Sequence, residues 1–216
     1  MKTIKFKVTL VEEMLGSKPS SSEVFTDYIA SKKKDAMPKD EVDAAKAAEE
    51  EIEMLEKGMT VFHRAEDGKT PIMWDYEWKG FFKDSIKALR RDPETESAKL
   101  KAYKSVIDGN VFVFDRKITL NLPKDGKIGI CERPLRAQTM QGERVALAKS
   151  ETVPAGTTME IKVMLLNKEY EAVILECMEY GALRGLGQWR SSGKGRFTYE
   201  RIDENDTATK GKKGKK

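Results

Sequence analysis

Two cysteines and one histidine in 216 residues leave little material for several common chemistries. Cys131 and Cys177 are far apart and match neither a metal-ligand spacing nor a disulfide framework. They read as reduced thiols of a cytoplasmic protein, with no metal and no cofactor expected. Long apolar runs are also missing. No segment approaches the roughly 20 residues that a membrane-spanning helix needs, and MKTIKFKVTL lacks an apolar stretch behind its lysines, so no membrane partner is expected. Charge of one sign is scarce too, because 40 basic residues meet 36 acidic ones for a net +4. Residues 203–216 hold five lysines against three acids, which leaves about +2 for the rest. Whole-chain charge therefore says little about partners.

What the sequence does have is glycine in one place. The stretch GALRGLGQWRSSGKGRFTY sets Gly185, Gly187, Gly193 and Gly195 around a polar bend. Glycine reaches positive φ and lets another backbone approach, so this pattern predicts a loop that turns tightly and lies against a ligand. Two familiar nucleotide loops are excluded. A dinucleotide fingerprint needs a third glycine where Arg190 stands, and it opens a helix after a strand rather than closing one. A Walker loop needs a glycine five residues before Gly68-Lys69-Thr70, where His63 stands, and Gly193-Lys194 is followed by Gly195. Between positions 184 and 201, Arg184, Arg190, Lys194, Arg196 and Arg201 oppose only Glu200, a local excess that favours a polyanion.

Periodicity organises the remainder. Ile4, Phe6, Val8 and Leu10 alternate with Lys5, Lys7 and Thr9, the signature of a half-buried strand, and Lys5 and Lys7 either extend a basic surface or are ordinary solvated lysines. Residues 17–68 read as a charged insertion containing a helix over 39–57, capped by Asp40 and ended by Gly58. A core helix follows, with Phe81, Phe82, Ser85, Ile86 and Leu89 inward. Lys79 and Lys83 stand at its N-terminal end, either as wet lysines or beside a phosphate held by the free amides. A second helix is expected over 97–108, then strands from Val111 to Leu122. Next comes an excursion over 127–142 that carries Arg133 and Arg136. A Pro154-Ala155-Gly156-Thr157 turn leads into a strand over 159–165. The last helix, 168–183, turns Val173, Ile174, Cys177, Met178 and Leu183 inward and delivers the glycine loop; residues 197–200 form a closing strand, and 203–216 read as a disordered tail. The element order predicts an α+β fold with a ferredoxin-like (RRM-like) βαββαβ core in a single domain, 1–202.

Three stretches together, Trp78-Lys79-Gly80-Phe81-Phe82, Glu151 to Thr157 and Gly185 to Gly195, give the chain a family likeness. It resembles the RAMP superfamily (repeat-associated mysterious proteins), in particular backbone subunits of CRISPR effector complexes of the type III kind. It also looks like stand-alone bacteriophage proteins of that fold. In that likeness residues 122–142 take the place of a thumb-like hairpin. The resemblance implies binding of single-stranded RNA, or DNA, through the backbone. Homo-oligomers or effector subunits are its partners. Phosphates would then meet the loop amides and Arg184, Arg190, Lys194 and Arg196, while Gln188 and Trp189 complete the site. Trp189 either stacks on a base or plugs the loop from beneath. A phage-encoded interaction protein of the same fold, acting on host defence or assembling with itself, is the competing reading.

Endoribonuclease activity is the third reading, and the sequence offers it only weak candidates. Relatives that cut RNA use a histidine or an aspartate after the first strand. His63 and Asp67, with Asp75, are the candidates of those types here, and none sits in a matching motif. A non-catalytic binding protein is the default expectation.

Overall fold

The computed structural model describes residues 1–20, 58–139 and 142–202, so the helix expected over 39–57 and the tail over 203–216 lie outside the described residues. The described chain is α+β, with several sheets and three α-helices. It divides into two compact units, one made of residues 1–14, 64–127 and 154–202, the other of 15–20, 58–63, 128–139 and 142–153.

The first unit is built on β1 (Lys2–Leu10), whose alternating pattern buries Ile4, Phe6, Val8 and Leu10. It pairs antiparallel with β11 (Thr158–Leu165) and β12 (Phe197–Ile202), and β11 pairs antiparallel with β7 (Val111–Phe114). The resulting order is β12-β1-β11-β7. Helix α1 (Asp75–Leu89) precedes β7, with α2 (Tyr103–Asn110) between them, and α3 (Glu171–Arg184) joins β11 to β12. Trp78 and Phe81 of α1 meet Phe197 of β12 with ring centroids 5.7 and 5.5 Å away, and Phe82 packs on both of them at 6.0 and 5.8 Å, all four rings being buried. Val173, Ile174, Cys177 and Met178 complete the core from α3. Each such fully buried side chain contributes roughly 1.5–3 kcal/mol by leaving water.

Several expectations are corrected. The first core helix opens at Asp75, where the Glu77 carboxylate accepts a hydrogen bond from the Trp74 N–H at 2.8 Å. Lys79 and Lys83 are therefore in its second and third turns, away from the free amides of an N-terminus. The helix expected over 97–108 is split into a 3₁₀ turn, Glu96–Lys99, and α2. The break falls at Leu100, which is extended, and Glu176 of α3 anchors the start of the 3₁₀ turn by accepting hydrogen bonds from the Glu96 and Ser97 amides and the Ser97 hydroxyl. Leu183 is 73% exposed and Leu89 only half-buried; the inner face of α3 there is Gly181, against the Phe197 ring. The strand after Val111 breaks at Asp115, at φ 65, and β8 (Lys117–Thr119) leaves to join a three-stranded sheet with β6 (Pro71–Trp74) and β5 (His63–Arg64) in the order β5-β6-β8. The Pro154 turn forms as expected: the Pro154 carbonyl accepts from the Thr157 amide and hydroxyl. The turn also exchanges hydrogen bonds of 2.8 and 2.9 Å with Leu10 at the end of β1.

In the second unit, β9 (Gly129–Thr139) and β10 (Gly142–Val153) form one long antiparallel hairpin. The expected excursion is thus a regular ladder that continues to Val153. Its base extends into a sheet in which β4 (Met59–Val61) runs parallel to β10 at Lys149 and Ser150, and β3 (Lys18–Pro19) pairs with β4; β2 (Met14–Leu15) also joins β10. The described flanks of the expected insertion are therefore strands. Weak periodicity has a physical cause here. A ribbon wet on its outer face keeps Ile130, Val145 and Leu147 exposed, so no alternation of apolar and polar residues marks it.

Candidate nucleic-acid interface

The glycine loop connects α3 to β12, and its backbone is in the left-handed region at Gly185, Gly187, Gly193 and Gly195 and also at Trp189, at φ 53. At its base the Leu186 amide donates to the Gly195 carbonyl at 2.9 Å, the Gly195 amide to the Glu13 carbonyl at 2.8 Å, and the Val11 amide to the Arg196 carbonyl at 2.8 Å. A Cβ on Gly185 would stand 2.4 Å from the Lys194 carbonyl oxygen, and one on Gly195 would stand 2.0 Å from that of Leu186. At these two positions the backbone that must approach closely is the loop's own, not a ligand's. The amides of Gly185, Leu186, Ser192, Gly193 and Gly195 all donate to protein carbonyls, so the expectation that loop amides hold phosphates is corrected for those five.

The fold also supplies carboxylates that the local sequence does not. Asp84 of α1 accepts from Arg190 at 2.8 Å and from Arg184 at 3.4 Å; Lys194 pairs with Glu13 at 2.5 Å and Arg196 with Glu12 at 3.4 Å. Arg201 pairs with Glu171 at 3.1 Å, and Lys2 joins the same carboxylate. The Lys2 hydrogen bond, aided by Arg201, holds the Glu171 carboxyl below its usual range. All of these pairs are solvent-accessible, and exposed pairs contribute only about 0–1 kcal/mol each. Trp189 is 38% exposed, whereas Leu186 is 2% exposed and fills the space beneath the loop.

The other candidates are held on other elements. Lys79 stands over the Phe112 ring at 4.8 Å, and Lys83 pairs with Asp108 at 2.5 Å, a hydrogen bond that keeps the Asp108 carboxyl below its usual range. Lys5 and Lys7 project from the sheet face opposite the buried row of β1. Arg133 and Arg136 belong to the second unit. Arg136 is exposed, but Arg133 is 7% exposed and burial weakens its charged form, so it is not presented to solvent as expected. His63 is half-buried on β5. Asp67 locks a turn: its carboxylate accepts from the Thr70 hydroxyl and from the Thr70 and Lys69 amides, which hold its pKa down to about 2. Asp75 occupies the first turn of α1. Among the described residues no cluster of three His, Cys, Asp or Glu side chains is placed to hold a metal ion, and no helix is long and apolar enough to cross a membrane.

Residues that the sequence reading passed over are Glu12, Glu13 and Asp84, which meet the loop only through the fold.

No family model matches the sequence, and no curated protein matches it. Among solved structures, the chain is similar to a chain of the Type III-B Cmr-beta complex bound to cognate target RNA, with a TM-score of 0.55 and 14% identity. The match covers 93% of this chain and 60% of that one. A chain of a Type IV-B CRISPR complex is similar with a TM-score of 0.48 and 12% identity, over 94% of this chain and 91% of that one. The chain spans about three-fifths of the Cmr-beta chain it matches, and the likeness to that chain is one of fold.

Proposed function

We propose that this chain is a CRISPR-associated, single-stranded nucleic-acid-binding protein of RAMP type, with RNA as its ligand, that works as a subunit of an effector assembly. The sheet order β12-β1-β11-β7, with α1 and α3 as its crossovers, supports reading the first unit as a ferredoxin-like core and the β9–β10 hairpin as its thumb. The observation that carries the reading is Trp189. A bulky residue in the left-handed region is costly and uncommon, and here it leaves Trp189 38% exposed in the loop that carries Arg190, Lys194 and Arg196. An exposed Trp in a loop with three cations suits a strand whose bases stack and whose phosphates replace Asp84, Glu12 and Glu13 as counterions. Because those ion pairs are weak, the exchange costs little.

Fluorescence anisotropy with a labelled single-stranded RNA tests this. Trp189→Ala weakens binding at least about fivefold, by the energy of one stacked base. The triple variant Arg190→Ala, Lys194→Ala, Arg196→Ala lowers the salt slope by about 0.7 for each lost contact. Unchanged affinity and slope in both variants count against the loop. The exposed Ile130, Val145 and Leu147 on the hairpin favour a second reading, a protein-interaction role, which light scattering of the wild type and a Leu147→Asp variant distinguishes.

A further inference from the structure

Helices α1 and α2 are tied to each other at two points. The Lys83 ammonium pairs with Asp108 at 2.5 Å, and the Arg90 guanidinium stands 5.2 Å from the centre of the Tyr103 ring. Position 83 precedes 90 while 108 follows 103, so the two segments run in opposite senses beside one another. One helical turn of each lies between the ties, with Lys87 four residues after Lys83 and Lys104 four residues before Asp108. Residues four apart share a helix face, so Lys87 and Lys104 front each other across the seam. Both are exposed.

No carboxylate answers them. Among the described residues none pairs with Lys87 or Lys104, nor with the exposed Arg91 and Lys101, which adjoin the Arg90–Tyr103 contact. The nearby acids are engaged elsewhere: Asp84 holds Arg184 and Arg190, Asp92 holds the Glu94 amide at 3.0 Å, and Glu96 holds Lys99, which leaves Glu94. The seam also lacks an apolar anchor. Tyr103 is buried, α2 has no exposed large apolar side chain, and α1 has only Tyr76, about three turns from Lys87. A protein partner is anchored by aromatic or aliphatic side chains, and a base needs a ring to stack on. A phosphodiester backbone needs neither, because cations alone hold it by displacing its counterions.

We infer that the α1–α2 seam, at Lys87 and Lys104 with Arg91 and Lys101, is a second nucleic-acid contact that grips the sugar-phosphate backbone whatever its bases or strandedness. The inference rests on the nucleic-acid reading above for its class of ligand, and it differs in kind from the loop, where Trp189 requires an unstacked base. A phosphate between Lys87 and Lys104 turns a repulsion into a bridge, and a duplex supplies phosphates as readily as a single strand does.

The test is fluorescence anisotropy of the full chain with a labelled RNA duplex and a labelled single strand over a range of salt. Wild type binds the duplex, and Trp189→Ala binds it within about twofold as well, since a duplex offers no free base face. The double variant Lys87→Gln, Lys104→Gln lowers the duplex salt slope by about 1.8, at roughly 0.9 for each lost contact. Lys124→Gln with Lys127→Gln removes the same charge from another exposed stretch and leaves the slope unchanged. Because the seam lysines are exposed and repel each other, their double variant unfolds in urea no earlier than wild type, so its weaker binding is not a loss of fold. An unchanged slope in the seam variant, or an equal fall in both double variants, overturns the inference. So does wild type that binds the single strand and not the duplex, which leaves the loop reading standing. Polyglutamate that displaces the duplex as well as unlabelled duplex does also overturns it and assigns the seam to an acidic protein. Wild type that binds neither RNA removes the nucleic-acid reading itself, and this inference with it.

Discussion

Gly195→Ala separates the two reasons a loop can need glycine. At φ 72, a side chain costs about 1–2 kcal/mol in backbone strain. Its Cβ would also stand 2.0 Å from the Leu186 carbonyl oxygen, a separation no Cβ tolerates, so the two arms of the loop must part. That movement breaks the hydrogen bond from the Leu186 amide to the Gly195 carbonyl, worth about 0.5–1.5 kcal/mol. The total is about 1.5–3.5 kcal/mol. Gly68→Ala is the matched control, since Gly68 has φ 67 with nothing within 4 Å of a Cβ, and it carries only the strain. Urea denaturation of both variants, with equal slopes, measures the difference. Gly195→Ala costing no more than Gly68→Ala refutes the account in which the loop packs on itself. If it also weakened RNA binding, the glycine would be serving a ligand instead.

Other outcomes follow from the same geometry. Gly80→Ala, in the exposed middle of α1 with nothing within 4 Å, raises stability by about 0.5–1 kcal/mol in the same denaturation assay; a loss of RNA affinity alongside would show that a ligand approaches Gly80. Asp84→Ala releases Arg184 and Arg190 and tightens RNA binding by about two- to fivefold at low salt, an effect that anisotropy follows as it vanishes with added salt. The Asp67 carboxyl titrates near about 2 by carbon NMR, below its ordinary 3.8. Because the folded value is the lower one, the turn's contribution to stability is present above the unfolded value and is lost as pH falls from about 4 toward 2. A midpoint at or above 3.8 rules out the Thr70 hydrogen bonds as drawn.

Much of this protein was legible in residue order, and the reason is local. β1 announced itself because Ile4, Phe6, Val8 and Leu10 alternate with polar residues, and the Pro154 turn and the glycine loop because proline and glycine restrict or release φ wherever they stand. What the sequence determined by itself was therefore the set of elements with strong period or strong turn chemistry, and the residue types in the loop. Tertiary structure decided the rest. Glu176 anchors the start of the 3₁₀ turn from 80 residues away, and the β9–β10 hairpin holds its register through cross-strand pairing that a wet ribbon does not write into its apolar pattern. Glu12, Glu13 and Asp84 convert a locally basic loop into a set of ion pairs, and Lys5 meets Lys162 only because β1 lies beside β11. Charge balance and surface composition are properties of neighbours in space, so they emerge only once the chain is folded.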